Sequence, residues 1–224
     1  MIKSVPATPC VAVFDLDGTL TWHDTLLPYL RGYVARHPER VLRTWRLPLA
    51  VAAFLAGRRD HGLLKSRVIR AVLGGEPRAR VEAWAERFVG ELKPRRAFRP
   101  AALEVLEAHR RNGDRLVLLS ASPDLYVPRI GRLLGFERTI CTEVLWKGDA
   151  LDGRLETPNR RGEEKARCLE MLRIDYPGAA VTAYGNSGSD LPHMVRADRA
   201  VLVNAGAAAR RRAAALGIAV ADWT

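Results

Sequence analysis

Asp15 and Asp17 stand two residues apart at the end of an apolar run, Val11-Ala12-Val13-Phe14-Asp15-Leu16-Asp17-Gly18-Thr19. Carboxylates this close repel each other, so the pair needs a counter-charge. Such a pair can hold a divalent cation, and it can supply a nucleophile and a proton carrier. Three further segments carry matching chemistry. Leu119-Ser120-Ala121-Ser122-Pro123 offers a hydroxyl and free backbone N–H groups after a second apolar run, where a strand-to-helix turn can hold a phosphate. Gly162-Glu163-Glu164-Lys165 puts Lys165 at the opening of a helix. Tyr184-Gly185-Asn186-Ser187-Gly188-Ser189-Asp190 follows another apolar run and offers Asn186 and Asp190, oxygen donors suited to Mg²⁺. Each segment taken singly also has an ordinary structural reading. Asp and Gly are common in turns, Ser-Ala-Ser-Pro can cap a helix, Lys165 can be a solvated helix lysine, and Asp190 can be a helix cap. Their order along the chain, each at a strand edge or a helix start, favours a shared site.

The elements that must position these residues follow from periodicity. Residues 11–15 read as a buried strand, closed by a turn at Gly18. Leu26, Leu27, Leu30, Tyr33 and Val34 recur at helix spacing. A short apolar run over 45–55 follows, interrupted by Pro48. A second helical stripe, Leu63 to Val72, stops at Gly74-Gly75, and a third runs through Val81, Trp84, Ala85 and Phe88. Lys93-Pro94-Arg95-Arg96 reads as a linker. Beyond it the pattern alternates: helix 101–111, strand 116–119, helix 125–134, strand 139–142, a short hairpin between turns at 146–149 and 152–154, helix 163–172, strands 181–184 and 200–203, and helix 207–216. Strand–helix alternation predicts an α/β fold with a doubly wound, mostly parallel sheet covered on both faces. The all-helical stretch between the first two strands predicts an inserted cap, residues 21–97, with a core formed by 1–20 and 98–224.

The chain has 224 residues, 48% of them hydrophobic, which suits one large domain or a core with an insertion. Cys10, Cys141 and Cys168 are too few and too widely spaced for a disulfide framework or a Cys-x-x-Cys metal pair, and fit reduced thiols. The N-terminal residues lack a signal-peptide apolar region, and no segment is long enough to span a bilayer, so the expected location is cytoplasmic. The net charge is +11, and residues 21–97 supply +9 of it, with 16 Lys/Arg against 7 Asp/Glu. Such a segment either faces an anion or is a solvated basic surface. No zinc-finger, helix-turn-helix or stacking-aromatic signature accompanies the charge, so no nucleic-acid partner is expected.

Taken together, Phe14-Asp15-Leu16-Asp17-Gly18-Thr19-Leu20-Thr21, Ser120, Lys165 and the 186–190 segment resemble the four motifs of the haloacid dehalogenase-like hydrolase superfamily. The resemblance covers nearly the whole chain. It is closest to subfamily IB, the phosphoserine-phosphatase-like branch, and residues 153–165 are similar to a bacterial subgroup of it. It implies a Rossmann-like core with a helical cap of the C1 type, and a Mg²⁺-dependent phosphatase. Asp15 would attack phosphorus to give an aspartyl-phosphate, and Asp17 would carry the proton. Gly18, Thr19, Ser120, Ala121 and Lys165 would hold the phosphoryl group. Asp15, Asp17 (through its main-chain carbonyl), Asn186 and Asp190 would hold the metal. Asn186 departs from the usual Asp, and weaker metal binding is expected.

The substrate implied by the resemblance is a small phosphorylated metabolite such as phosphoserine or histidinol phosphate. Asp24 stands where this branch places an acid that meets a substrate amino group, although an acid there also suits a helix N-terminus. Lys65 and Arg67 could reach a second anionic group of the substrate. The apolar run 47–56, between Arg43/Arg46 and Arg58/Arg59, leaves open peripheral contact with an anionic membrane; with it, the subgroup resemblance implies a phosphatidylglycerophosphate phosphatase as an alternative. The run is also readable as a packed cap helix. Asn186 leaves open a regulatory protein that keeps the fold with weak turnover.

Overall fold

Each residue of β1 (Val11–Phe14) is fully buried, as an apolar run without polar alternation requires when both faces of its sheet are covered. The computed structural model describes residues 10–45, 47–57, 60–93 and 96–223. After β1 come α1 (Leu26–Arg36), α2 (Leu47–Ala56), α3 (His61–Leu73), α4 (Arg78–Leu92) and α5 (Pro100–Arg111). Next are β2 (Arg115–Pro123), α6 (Val127–Leu133), β3 (Arg138–Thr142), β4 (Val144–Lys147) and β5 (Ala150–Leu155). The chain continues with α7 (Glu163–Asp175), β6 (Val181–Gly185), α8 (Leu191–Met194), β7 (Arg199–Val203), α9 (Ala207–Ala215) and β8 (Ala219–Ala221).

Six strands form a parallel sheet in the order β3-β2-β1-β6-β7-β8. The chain runs outward from β1 through β2 to β3, then returns beside β1 as β6 and runs out the other way. The sheet therefore reverses its order between β1 and β6, and the crevice beyond their carboxyl ends is where open α/β sheets bind ligands. Alternate β1 side chains enter different cores. Ala12 and Phe14 join one, where Phe14 stacks on Tyr184 with ring centroids 4.5 Å apart. Val11 and Val13 join another with Val117, Leu119 and, from α7, Cys168, Leu169 and Leu172. Each aliphatic side chain buried this way contributes about 1.5–3 kcal/mol, so register is strongly held around the acids that follow β1.

Four helices, α1 to α4, lie between β1 and α5. The two ends of this insertion are stitched together: Trp22 N donates to Ala97 O at 3.1 Å, and Arg99 N to Leu20 O at 2.9 Å. Inside it Tyr29 packs on Trp84 and Phe88, and reaches Tyr126 at the start of α6 with centroids 4.6 Å apart. The β4–β5 hairpin fastens the insertion from the other side. Gly75 N donates to Leu151 O (2.8 Å), Leu151 N to Glu76 O (2.9 Å) and Arg78 N to Asp149 O (2.8 Å).

Several expectations shift. Residues 152–154 are not a turn; they lie inside β5, and the hairpin turns at Gly148, whose φ is +58°. Pro48 does not interrupt the 45–55 run, because it sits in the first turn of α2, where an N–H has no helical partner to lose. The second strand does not stop at 119; β2 continues through Ser120 to Pro123, with its register against β3 shifted between Leu119 and Pro123. The short β8 was not anticipated. Of the linker 93–96, residues 94 and 95 lie outside the described residues, as do the N-terminal nine, Arg46, Arg58 and Arg59. No described helix is long and apolar enough to cross a membrane. The three cysteines are free.

Candidate active site

The end of β1 delivers Asp15 into the crevice nearly buried, at 6% exposure. Its Oδ1 accepts a hydrogen bond from Lys165 Nζ at 2.6 Å, and its Oδ2 one from Thr19 Oγ1 at 3.0 Å. Lys165, in the first turn of α7, donates a second bond to Asp190 Oδ1 at 2.7 Å. Asp190 immediately precedes α8, yet its carboxylate does not cap that helix. It turns back, and Oδ2 accepts from Ser187 Oγ (2.7 Å), Ser187 N (3.0 Å) and Asn186 N (3.2 Å). One buried ammonium thus lies between two buried carboxylates. Burial opposes the charge on Lys165, but Asp15 and Asp190 hold its pKa above the usual lysine range. Burial likewise opposes Asp190, and Lys165 and Ser187 hold it well below the usual carboxylate range. Burial pushes Asp15 up to about 7, against the pull of Lys165.

Asp17 is held differently. Oδ1 accepts from both the N–H and the Oγ1 hydroxyl of Thr25, each at 2.7 Å, and Oδ2 accepts from Ser122 Oγ at 2.5 Å. The Thr25 hydroxyl gives its only proton to Asp17, so the Tyr126 hydroxyl, 2.9 Å away, is the donor in their contact. Burial, then the charge of Asp24, raises the Asp17 pKa. Burial thus raises both acids of the pair, and Asp15 is the one with an ammonium, Lys165, bonded to it to favour its charged form. The turn that follows the two acids depends on Gly18. Its φ is +81°, and a Cβ there would lie 2.0 Å from Asn186 Nδ2.

These residues form the floor of a cavity of about 620 Å³. The insertion supplies its roof. Leu26, Leu27 and Leu30 of α1 with Leu64 and Val68 of α3 make an apolar wall, and His23, Asp24, His61, Lys65, Asn159 and Arg161 add polar groups. Asp24 Oδ1 caps α1, accepting from Leu26 N (3.0 Å) and Leu27 N (3.1 Å), while the residue still lines the cavity. Lys65 reaches the core: Nζ donates to Ala121 O and, at 2.6 Å, to Asn159 Oδ1. Burial pushes its pKa down to about 8. Arg67 is exposed and does not line the cavity. Ser120 and Thr19 are fully buried behind the wall rather than in it. Ser120 Oγ accepts from Ser122 N at 3.0 Å, and Ser122 is the serine that faces the cavity.

Thr25, Ser122, Tyr126 and Asn159 were not anticipated as partners of the motif residues. Ser122 stands two residues after Ser120 in the same short motif, a signal that could have found it. Nothing local marks Thr25, whereas Asn159 falls in the 153–165 stretch that carries the subgroup resemblance. His193 is also new: it is fully buried in α8, and neither ring nitrogen has a partner among the described residues. Burial and Lys165 push its pKa down to about 3.

For a cation, the floor offers Asp15, Asp190 and the Asn186 amide, all hard oxygen donors. No cluster of three or more His, Cys, Asp or Glu occurs among the described residues. Mg²⁺ fits on charge, since two carboxylates share one ammonium and leave a net negative floor. Gly18, lacking a Cβ, lets the Asn186 amide, one of these donors, sit directly against the turn that follows the acids.

The model of the haloacid dehalogenase-like hydrolases matches residues 12–194. Protein CicA of Caulobacter vibrioides is 31% identical over 192 residues, 85% of this chain and 84% of that one. Phosphoserine phosphatase SerB1 of Mycobacterium tuberculosis is 26% identical, over 95% of this chain and 70% of that one. A crystal structure of a protein of unknown function from Bordetella pertussis superposes with a TM-score of 0.81 at 23% identity, covering 97% of this chain and all of that one. With an acid pair after β1, a lysine opening α7 and a helical roof over both, the chain belongs to the haloacid dehalogenase-like hydrolases.

Proposed function

We propose that the protein is a Mg²⁺-dependent phosphomonoesterase working through a covalent phosphate ester of Asp15. The observation that carries this reading is the Asp15–Lys165–Asp190 cluster at the cavity floor, with Asp17 held beside it by Thr25 and Ser122. The Asp15 carboxylate attacks phosphorus as the ester P–O bond breaks, and Asp17 gives its proton to the departing alcohol oxygen. Asp17 then takes a proton from the water that attacks the Asp15 phosphate, releasing inorganic phosphate and restoring both acids. Lys165 offsets charge gathering on the phosphoryl oxygens. Asp15, the Asp17 main-chain carbonyl, Asn186 and Asp190 would hold Mg²⁺. The cation would supply the positive charge that lets an anionic nucleophile approach an anionic phosphate.

The non-phosphate half of the substrate meets the roof. Phosphoserine or histidinol phosphate would find one free Asp24 oxygen for its amino group, set against a wall of leucines. The class proposed is therefore a phosphomonoester, without a required amine. The test is hydrolysis of p-nitrophenyl phosphate by the purified chain. Activity should need Mg²⁺ and vanish in Asp15→Asn, and acid-quenched wild type should carry phosphate on the Asp15 peptide in mass spectrometry. Undiminished turnover by Asp15→Asn would end the proposal.

A further inference from the structure

α2 is uncharged and apolar along its whole length, Leu47-Pro48-Leu49-Ala50-Val51-Ala52-Ala53-Phe54-Leu55-Ala56. A helix that is apolar all round is ordinarily buried, yet Val51 and Leu55 are 42% and 63% exposed. Nearby in sequence, Leu42, Trp45 and Leu63 are also exposed. This patch sits in the basic part of the molecule. Residues 38–70 carry eight Lys/Arg against two Asp/Glu, and Arg43, Arg67 and Arg70 are exposed. Exposed apolar side chains in a basic stretch of chain match an anionic bilayer, where the former enter the acyl boundary and cations such as Arg43, Arg67 and Arg70 meet the headgroups. A second copy of the chain would instead bring like charge against like.

The patch is continuous with the active site. The Phe54 ring meets the His61 ring edge-on with centroids 5.0 Å apart, and His61 lines the cavity beside Leu27 and Leu64. His61 thus links Phe54 of α2 to the cavity wall.

We propose that α2 and its exposed neighbours dock this phosphatase on an anionic lipid surface, and that its substrate is a phosphomonoester borne on an apolar tail in that surface. The substrate half rests on the phosphomonoesterase reading; the docking half does not. Hydrolysis would use one water, leaving the tail as an alcohol in the bilayer and sending phosphate to solution.

The test floats the full chain with vesicles of phosphatidylcholine alone or mixed with phosphatidylglycerol, beside the double variant Val51→Glu/Leu55→Glu. Both positions are exposed and remote from the acids, and a melting curve checks the fold. Wild type should float with the anionic vesicles, release in high salt, and stay behind with neutral ones. The variant should bind roughly tenfold or more weakly, while hydrolysing p-nitrophenyl phosphate as wild type does. Phosphatidic acid carried in the anionic vesicles should be hydrolysed several-fold faster by wild type than by the variant. No flotation with anionic vesicles, or equal flotation of the variant, overturns the docking. A wild-type dimer that the variant turns into a monomer also overturns it, giving the face to a second copy. Equal turnover of phosphatidic acid by both proteins overturns the substrate half. Loss of p-nitrophenyl phosphate hydrolysis in both proteins counts against the phosphomonoesterase reading, and flotation still decides the docking.

Discussion

One ammonium facing two buried carboxylates makes Lys165 the residue on which the floor depends. Replacing it with Met leaves Asp15 and Asp190 without their cation, and removing one partner of a buried ion pair costs about 3–5 kcal/mol. Lys165→Met should therefore lower the melting temperature markedly as well as abolish turnover. Asn186 contributes an amide where a carboxylate would add charge. Asn186→Asp should lower the Mg²⁺ concentration for half-maximal activity several-fold in a metal titration; an unchanged value would show that Asn186 is not a ligand. His193 is the opposite case, a buried ring with two unpartnered nitrogens. Replacing a buried polar group that lacks partners with an apolar one of similar size is neutral or stabilising. His193→Leu should hold or raise the urea midpoint.

At the scale of elements, the contact between α3 and the β4–β5 hairpin is set by one glycine. Gly153 has φ +88°, and a Cβ there would stand 2.6 Å from Arg70 Cα. Gly153→Ala combines left-handed strain with a backbone clash and should cost about 1–3 kcal/mol, read as a fall in melting temperature. Lys65 joins α3 to the end of β2. Its folded-state pKa, about 8, lies below the ordinary 10.5, so the folded protein binds fewer protons than the unfolded chain between those values. Stability should rise with pH across that window, since the cost of burying the charged form is relieved as the proton leaves. Lys65→Met should flatten the rise in a comparison of melting temperature against pH.

Across the whole molecule, the insertion is fastened at both ends of its roof. Thr21–Phe98 pairing closes its base, and the backbone bonds of Gly75, Leu151 and Arg78 tie it to the hairpin. A roof held this way should open as a unit with the hairpin. In hydrogen exchange the Gly75 and Leu151 amides should therefore exchange together.

Val11 to Asp17 declared both a buried strand and an acid pair from local pattern alone, because burial on two faces shows as an unbroken apolar run and chemistry at a strand end shows as spacing. Local pattern likewise placed Lys165 at a helix start and Asn186 and Asp190 after a strand, the elements now seen as α7 and β6. Each of those signals lies within a few residues of chain. What holds Asp17 could not be read that way, since Ser122 is 105 positions from it. Likewise Lys65 and Asn159 are 94 apart. Ser120 has the same residue type as Ser122, and only the course of β2 puts one behind the wall and the other before it. Arg67 and Lys65 share a helix, and only packing against the core sends Lys65 inward and leaves Arg67 in solvent. Local sequence sets which groups exist and which element carries them; the neighbours that decide their charge, burial and direction arrive from distant chain when the sheet closes.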